Sequence, residues 1–574
     1  MRYSECFLYI YINNLLKRMK NLIRIHCVNC NRSIDVEMGT SLLEVSRILD
    51  LNNPYPYLAA LVNHRTKELN YKVYTPAKVE FLDITSSAGF RTYQRTLIFI
   101  MQAVVSKLYP SQRFYVRHSI GDSLYCEVEG KELFSEAECR ALYGTAQSIV
   151  SSAMPILREK IPTEEAVAEF ERRGMEDKID LLTTREKLYS SIVRIGDEVG
   201  YFLGALTPST SYIDRFDVRP YHHGFYLSTP TRTTPDTIPS APNLNKMFRI
   251  FDTYSRWVDI LGVPTIGKLN QRIRKGDAGE LIQIAEAVHE KLLSRIADDI
   301  AEAHRNRGLR LILVSGPSSS GKTTTSKRLG VQLQVLGLHP VLISTDDYFV
   351  NREDTPRDEN GDYDFEVLEA IDLEHLNRDL ADLMEGKSVE IPRFDFITGR
   401  RQWHEKPLKL EANSVLIMEG IHALNPRLTP SIPVEAKFRI YASCLTSVAM
   451  DNTSRIHTTD NRLLRRMIRD NATRGTSASD TIARWASVRR GEERHIFPYQ
   501  EEADVMFNSS LLYEISVLKP FAEPLLREIP DSRPEYAVAN GLLKFLENFV
   551  AIPTDEIPPT SVLREFVGGS AFKY

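Results

Sequence analysis

Gly316-Pro317-Ser318-Ser319-Ser320-Gly321-Lys322-Thr323 follows directly on the apolar run Leu311-Ile312-Leu313-Val314. That run has the length and β-branching of a buried strand, and the segment from Gly316 to Thr323 matches the G-x4-G-K-[ST] pattern of a phosphate loop. The spacing has a physical reason. Gly316 and Gly321 allow a tight turn in which successive backbone N–H groups face inward and form a concave anion site. A helix expected from about Thr323 to Leu336 points its positive end at the same place. Gly316, Ser318, Ser319, Ser320, Gly321, Lys322, Thr323 and Thr324 are therefore the expected contacts of a nucleoside triphosphate, ATP or GTP. Lys322 is suited to the β/γ-phosphates, and the Thr323 hydroxyl to Mg²⁺.

Phosphate loops serve hydrolases, motors, switches and kinases, so the second substrate must be sought elsewhere. Val341-Leu342-Ile343-Ser344 reads as a strand that ends in Thr345-Asp346-Asp347. An acid at the carboxyl end of a strand beside a phosphate loop lies where open α/β sheets bind ligands. A carboxylate there, Asp346 or Asp347, could accept a proton from an attacking hydroxyl. Ser414 to Gly420 reads as another buried strand, ending in Glu419, an acid that can hold Mg²⁺ through water. One acid after a strand is ordinarily a cap; two of them flanking a phosphate loop favour chemistry. Arg462, Arg465, Arg466 and Arg469 stand at i, i+3, i+4 and i+7 and so share one helical face. Such a stripe is a solvated face, an RNA patch or a clamp on phosphate oxygens.

The elements that must position these groups alternate. Strands are expected at Val341–Ser344, Val389–Pro392, Ser414–Met418, Lys437–Tyr441 and Leu512–Val517, with helices near Leu373–Met384 and Asn461–Asp470. That order implies a mainly parallel sheet with helices on both faces. A helix over Leu281–Ala303 stops near Gly308; a short helix follows Pro520, then a helix-like stretch from Glu535 to Phe549 and a Pro-rich tail. In the front, Ile23, Ile25 and Cys27 alternate, and Ser41 with Glu44 forms a capping box opening a helix to about Leu51. Strands Ala60–Asn63 and Val79–Leu82 follow. His222-His223 reads as a strand pair facing opposite sides, and Thr229–Pro242 as a connector or exposed loop.

At 574 residues the chain exceeds one core. Its 43% hydrophobic and 26% charged content is that of an ordinary water-soluble protein, and a net charge of −4 argues against wholesale nucleic-acid coating. Six scattered cysteines make no disulfide scaffold and point to the cytosol; Cys27-x2-Cys30 is half a zinc motif with no second pair. Phe7–Ile12 is apolar but too short to span a membrane, and Met19 is an alternative start.

Residues 310 to about 510 resemble the uridine kinase and phosphoribulokinase group of P-loop kinases. The resemblance runs through GPSSSGKTT, TDDYF, GDYDFEVLEAID, GKSVEIPRFDFITGRR, MEGIHALNP, NRLLRRMIRDNATRG and FPYQEEADV. It implies Asp346 as base, assisted by Lys322, Arg469 and Arg474. It implies Asp364 on the ribose hydroxyls, Phe349 and Phe394 around the base, and Arg466 with Arg469 and Arg474 in a lid. ATP or GTP, Mg²⁺ and a nucleoside acceptor, uridine or cytidine first, would follow, with a ribulose 5-phosphate-like sugar as the alternative; a cytoplasmic homo-oligomer is expected. Gly399, Phe349 and Phe394 stand where uridine kinases read the pyrimidine with a histidine and tyrosines, and Thr476 and Arg484 where an arginine and a glutamine are usual.

The front resembles the TGS domain through GTSLLEV, LVN and VEFLDIT. It then resembles the second additional domain of threonyl-tRNA synthetases, whose H-x3-H and C-x3-H editing positions here hold Gln94, Ile98, Phe202 and Leu206. None can ligate zinc or act as a base in that role, which implies a scaffold or a surface for RNA or a regulatory ligand. The fold class expected is α/β, in six parts: 1–20 an extension, 21–85 a TGS-like β-grasp domain, 86–245 a degenerate editing-like α+β domain, 246–308 a helical connector, 309–520 the P-loop kinase domain and 521–574 a helical tail. The rival reading is an RNA- or ribosome-associated NTPase.

Overall fold

The structure, a computed structural model, describes residues 21–240, 243–358, 361–403 and 407–573; Phe7–Ile12 and Met19 lie outside them. The described chain forms two compact units. One is built on residues 21–240 with Met450–Arg455 and Ile529–Asn548, the other on 243–449, 456–528 and 549–573.

The second unit holds five parallel strands: β1 (Leu311–Ser315), β2 (His339–Ser344), β3 (Ser414–Glu419), β4 (Lys437–Ser443) and β5 (Val505–Asn508), in the order β2-β3-β1-β4-β5. β1 is buried along its whole length, as a parallel strand covered on both faces must be. Its residues alternate between two cores. Ile312 and Val314 pack with Leu293, Ile296 and Ile300 of helix Ala278–Arg307 and with Leu329 and Leu333 of helix Lys322–Val335. Leu311 and Leu313 pack with Leu376, Leu380 and Leu383 of helix Leu373–Met384. Register levels the strand ends: Val314 lies opposite Glu419, and Glu419 opposite Ser344. The phosphate loop, Asp346 and Glu419 therefore emerge on one rim.

Two expected strands are corrected. Leu512–Val517 lies at the start of a helix, Glu514–Arg527, and the fifth strand is Val505–Asn508. Ile515, Leu518, Ala522 and Leu526 are buried at helical spacing, which overrides the β-like local composition. The other strand is displaced from Val389–Pro392 to Pro392–Asp395, where it forms a hairpin with Arg400–Trp403 outside the main sheet. The arginine-bearing helix also runs longer than expected, Thr458–Arg474.

In the first unit, strands Leu22–Cys27, Arg32–Glu37, Ala59–Val62, Arg65–Lys67 and Ala77–Leu82 form one five-stranded sheet. Helix Leu42–Leu49 lies against it and opens on the reciprocal Ser41/Glu44 capping box. The buried helix Ser87–Leu108 comes next, with a four-stranded and a three-stranded sheet. Ile98, Phe202 and Leu206 meet in one apolar core. His222 and His223 form a hairpin turn rather than a strand. Tyr221 pairs with Gly224, and Gly224 is pressed so close to the Cys126 carbonyl that a Cβ would stand 2.2 Å from it. Thr229–Ser240 contains no helix or strand, yet Thr229 and Thr231 are buried, so the stretch is not simply exposed.

Helices Thr458–Arg474 and Glu514–Arg527 are tied by a fully buried ion pair, Arg465–Glu514, with Arg465 Nη2 donating to Glu514 Oε2 at 2.8 Å. Glu514→Ala should cost about 3–5 kcal/mol, because it strands a guanidinium in the interior. Trp257, Trp403 and Trp485 all lie in this unit, so urea unfolding followed by tryptophan fluorescence reads it. A loss below about 1 kcal/mol would show the pair to be dispensable.

Candidate active site

The turn after β1 has the geometry its sequence requires. A Cβ on Gly316 would stand 1.9 Å from the Ala442 carbonyl oxygen, and Gly321 has φ +76°. Ser319, with φ 58°, also takes the left-handed conformation. Ser318 N–H donates to Glu492 Oε1 at 3.1 Å, and Lys322 Nζ donates to the Pro317 carbonyl at 3.3 Å. The hydroxyls of Ser319 and Ser320 are buried and have no hydrogen-bond partner among the described residues. Thr323 Oγ1 donates to Glu419 Oε1 at 2.9 Å, and Thr324 Oγ1 to Glu565 Oε2 at 2.5 Å. These groups fit a magnesium triphosphate: partnerless buried hydroxyls, a lysine at the mouth, and a threonine–carboxylate pair with oxygen donors suited to a hard cation.

The arginine stripe divides by depth. Arg462 and Arg465 are buried and hold the back of the loop. Arg462 Nε donates to the Ser318 carbonyl at 2.9 Å and its guanidinium pairs with Glu492, while Arg465 Nη1 reaches the Ser319 carbonyl at 3.3 Å. Arg466 donates to Ser318 Oγ at 2.9 Å. Arg466, Arg469 and Arg474 all gather on Asp470, at 3.3, 2.8 and 3.8 Å.

Burial raises the Asp346 carboxyl above the usual range, opposed by the charges of Lys322, Arg474 and Arg469. Burial likewise pushes Glu419 up to about 7, against the pull of Lys322. Asp347 is occupied differently: its Oδ1 accepts the Phe394 N–H at 3.3 Å, which fixes the hairpin to the end of β2. Phe349 and Phe394 are edge-to-face at 5.6 Å, and Phe396 joins them at 5.3 Å from Phe394, with Arg474 over its ring at 4.8 Å. Asp364 Oδ1 accepts the Glu366 N–H at 3.0 Å. Gly399 has φ +71° and a Cβ there would meet Arg352 Nε at 2.7 Å, so a side chain at this turn is both strained and blocked.

The sequence reading missed Glu366, Glu492, Glu514 and Glu565, the carboxylates that surround the loop. Glu492, Glu514 and Glu565 come from segments distant in sequence that no motif spacing links to it, while Glu366 lies within the GDYDFEVLEAID stretch, two residues past Asp364. A glutamate inside the apolar run Leu511-Leu512-Tyr513-Glu514-Ile515 was the one visible signal.

Fold and site together define a P-loop nucleotide-binding unit with an acidic rim opposite an arginine helix. The chain belongs to the phosphoribulokinase/uridine kinase family, whose description matches residues 311–516. A uridine kinase of Macrococcus caseolyticus is 31% identical over 198 residues, 34% of this chain and 86% of that protein. The front is similar to the threonine–tRNA ligase of Clostridium kluyveri, 26% identical over 190 residues, 33% of this chain; the match spans 30% of the ligase's length. A solved structure described as a possible uridine kinase from Bacillus stearothermophilus aligns with 37% of this chain and 97% of its own, at 19% identity and a TM-score of 0.25. Among the described residues, no helix is long and apolar enough to cross a membrane.

Glu492 anchors the loop through Ser318 N–H while neutralising Arg462 and Arg489. Glu492→Gln should raise the KM for nucleotide by ~10–100-fold, since small displacements of a phosphate cradle carry such costs. Steady-state kinetics with either substrate varied would check it; an unchanged nucleotide KM would refute the anchoring role.

Proposed function

We propose that this chain transfers the γ-phosphoryl group of ATP or GTP to the 5′-hydroxyl of a nucleoside, with uridine and cytidine the leading acceptors and a ribulose 5-phosphate-like sugar the alternative. One observation carries the reading. A half-buried carboxylate, Asp346, stands at the end of β2 under the combined charge of Lys322, Arg469 and Arg474, three residues before Phe349, whose ring packs edge-to-face on Phe394. Asp346 accepts the proton of the attacking hydroxyl, while Lys322, Arg469 and Arg474 face the charge that builds on the transferring group. Thr323 and Glu419 would hold Mg²⁺, which when bound neutralises phosphate oxygens. Asp364 takes sugar hydroxyls, and Phe349 and Phe394 offer apolar faces to the base. The relatives of this chain include proteins named uridine kinase, which supports the acceptor class.

For the front, we assign 21–85 as a TGS-like β-grasp domain and 86–245 as an editing-like domain without its chemistry. It serves as a surface for RNA or a regulatory ligand, and its likeness to a threonine–tRNA ligase supports that role. The kinase domain spans 309–520, between a connector at 246–308 and the tail from 521. Salt-sensitive tRNA binding by the full chain, without any phosphorylated acceptor, would favour the rival NTPase reading.

A panel of nucleosides and ribulose 5-phosphate, assayed for ADP or GDP release and for product mass, tests the activity. Nucleotide hydrolysis that is independent of acceptor would refute it. Lys322→Ala and Asp346→Asn should each lower kcat by ~10²–10⁴-fold, whereas Asp347→Asn should act mainly through acceptor KM. Asp346 works ionised and its carboxyl titrates above the ordinary range, so kcat/KM should rise with pH across an acidic limb shifted upward. Were that limb to sit where an ordinary exposed aspartate titrates, Asp346 would not be the base.

A further inference from the structure

Between β4 and the arginine helix Thr458–Arg474, residues Met450–Arg455 fold as part of the first unit. They form a tight hairpin. The Met450 N–H donates to the Ser454 carbonyl at 2.8 Å, and the Ser454 N–H to the Asp451 carbonyl at 3.2 Å. Strand Phe114–Ile120, at the edge of the four-stranded sheet, donates the Val116 N–H to the Asn452 carbonyl at 2.8 Å. The Asn452 N–H in turn donates to Asp177 Oδ2 at 2.9 Å. Lys178 Nζ then meets Asp451 Oδ1 at 3.0 Å, Thr453 Oγ1 at 3.1 Å and Asp177 Oδ2 at 3.4 Å. Lys178 is 2% exposed and Asp451 is fully buried. An ammonium taken so completely out of water holds its partners in one geometry, because any displacement strands a charge.

The stem of the hairpin is closed: Thr446 Oγ1, before it, donates to the Ile456 carbonyl, after it, at 2.9 Å. Helix Thr458–Arg474 opens directly beyond, so its first turn inherits the position of the hairpin. We propose that Lys178 is a positioning residue for phosphoryl transfer, acting through Asp451 to fix the start of the helix that carries Arg469 and Arg474. The inference rests on those arginines serving the transferring phosphoryl group, and it gives the front a task that needs neither RNA nor a regulatory ligand. Arg462 and Arg465 are locked on Glu492 and Glu514, so the phosphate loop keeps its backing whether or not the hairpin is held. Two long side chains anchored one turn apart fix the depth of the helix, while its tilt is set where the chain enters it. Arg474 lies about 14 Å along the axis from Arg465 at ~1.5 Å per residue, so a tilt of about 5° moves it by about 1 Å. A displacement of that size is enough to slow a positioned reaction by ~10–100-fold.

The test uses the full chain with Asp451→Asn, Lys178→Met and the two combined. Each is compared with wild type for uridine phosphorylation, for Mg-ATP affinity by calorimetry and for amide hydrogen exchange. Each single variant should lower kcat by ~10–100-fold while the affinity for Mg-ATP holds. The double variant should be no worse than the worse single one, because Lys178 works through Asp451; independent effects would multiply. Exchange should quicken across helix Thr458–Arg474 and stay unchanged across helix Lys322–Val335. A merely structural role would lower the melting temperature and leave both kcat and exchange in the arginine helix unmoved, and that result would overturn the proposal. So would an Mg-ATP affinity that falls in step with kcat, or multiplied losses in the double variant. If Lys178→Met does not fold, the near-isosteric Asp451→Asn decides by the same three measurements. A wild type inactive on uridine would overturn the acceptor reading alone. Exchange would then settle the positioning role: quickened only in the arginine helix it upholds the proposal, and unmoved there it overturns it.

Discussion

A loop that turns its N–H groups inward to meet phosphates must turn its carbonyls outward, and here the outside is the protein interior. Each carbonyl buried without a donor would cost on the order of 1–3 kcal/mol. The chain meets this demand residue by residue. The Pro317 carbonyl accepts from Lys322, Ser318 from Arg462, Ser319 from Arg465 and Ser320 from Ser509 Oγ. The arginines are cations deep in a low-dielectric region and need anions in turn, which Glu492 and Glu514 supply. Helix Thr458–Arg474 carries the two arginines, and helices Ala478–His495 and Glu514–Arg527 carry the glutamates that meet them.

The same logic separates the arginines of one helix by task. Arg462 and Arg465 commit their donors to loop carbonyls and buried glutamates, so their charge is compensated where it stands. Arg466, Arg469 and Arg474 share a single carboxylate, Asp470, and the surplus of positive charge faces Asp346. Across from them, burial raises Asp346, Glu366 and Glu419, which keeps these carboxyls easier to protonate than exposed ones. A cleft of that composition is balanced for the arrival of a polyanion with its cation, since either alone would leave one set of charges uncompensated.

The phosphate loop, the strand before it and the acids at the ends of β2 and β3 were legible because each is a local pattern: a β-branched run followed by a turn or an acid. The capping box at Ser41 and the stop at Gly308 were legible for the same reason, the latter now seen with φ 68°. Leu512–Val517 was misread as a strand because its composition is β-like while its burial follows a helical period, and periodicity is hard to judge over six residues. His222-His223 was misread because a two-residue turn is recognised by the pairing of its flanks, Tyr221 with Gly224, which sequence alone does not display. The carboxylates around the loop were invisible for a deeper reason. Their meaning lies in which carbonyl or cation they face, and that is decided by packing between segments far apart in the chain.

The tail illustrates how far the site extends beyond the matched family region, which ends at residue 516. Val562 Cγ2 lies 2.5 Å from where a Cβ on Gly321 would stand, so the tail itself forbids a side chain at the loop's last glycine. Phe566 lies under the Arg465 guanidinium at 4.9 Å, and Glu565 takes the Thr324 hydroxyl. Ser561, Val562, Leu563 and Phe566 are all buried, which a dangling terminus would not be. The tail therefore packs on the loop beside the Arg465 contact, and it adds a carboxylate whose charge acts on both Glu419 and Arg465. A family-sized unit cut at residue 516 would expose Phe566's partner cation and leave Gly321 without its backing, so the phosphate loop of this protein is a product of the chain beyond the motif as well as of the motif.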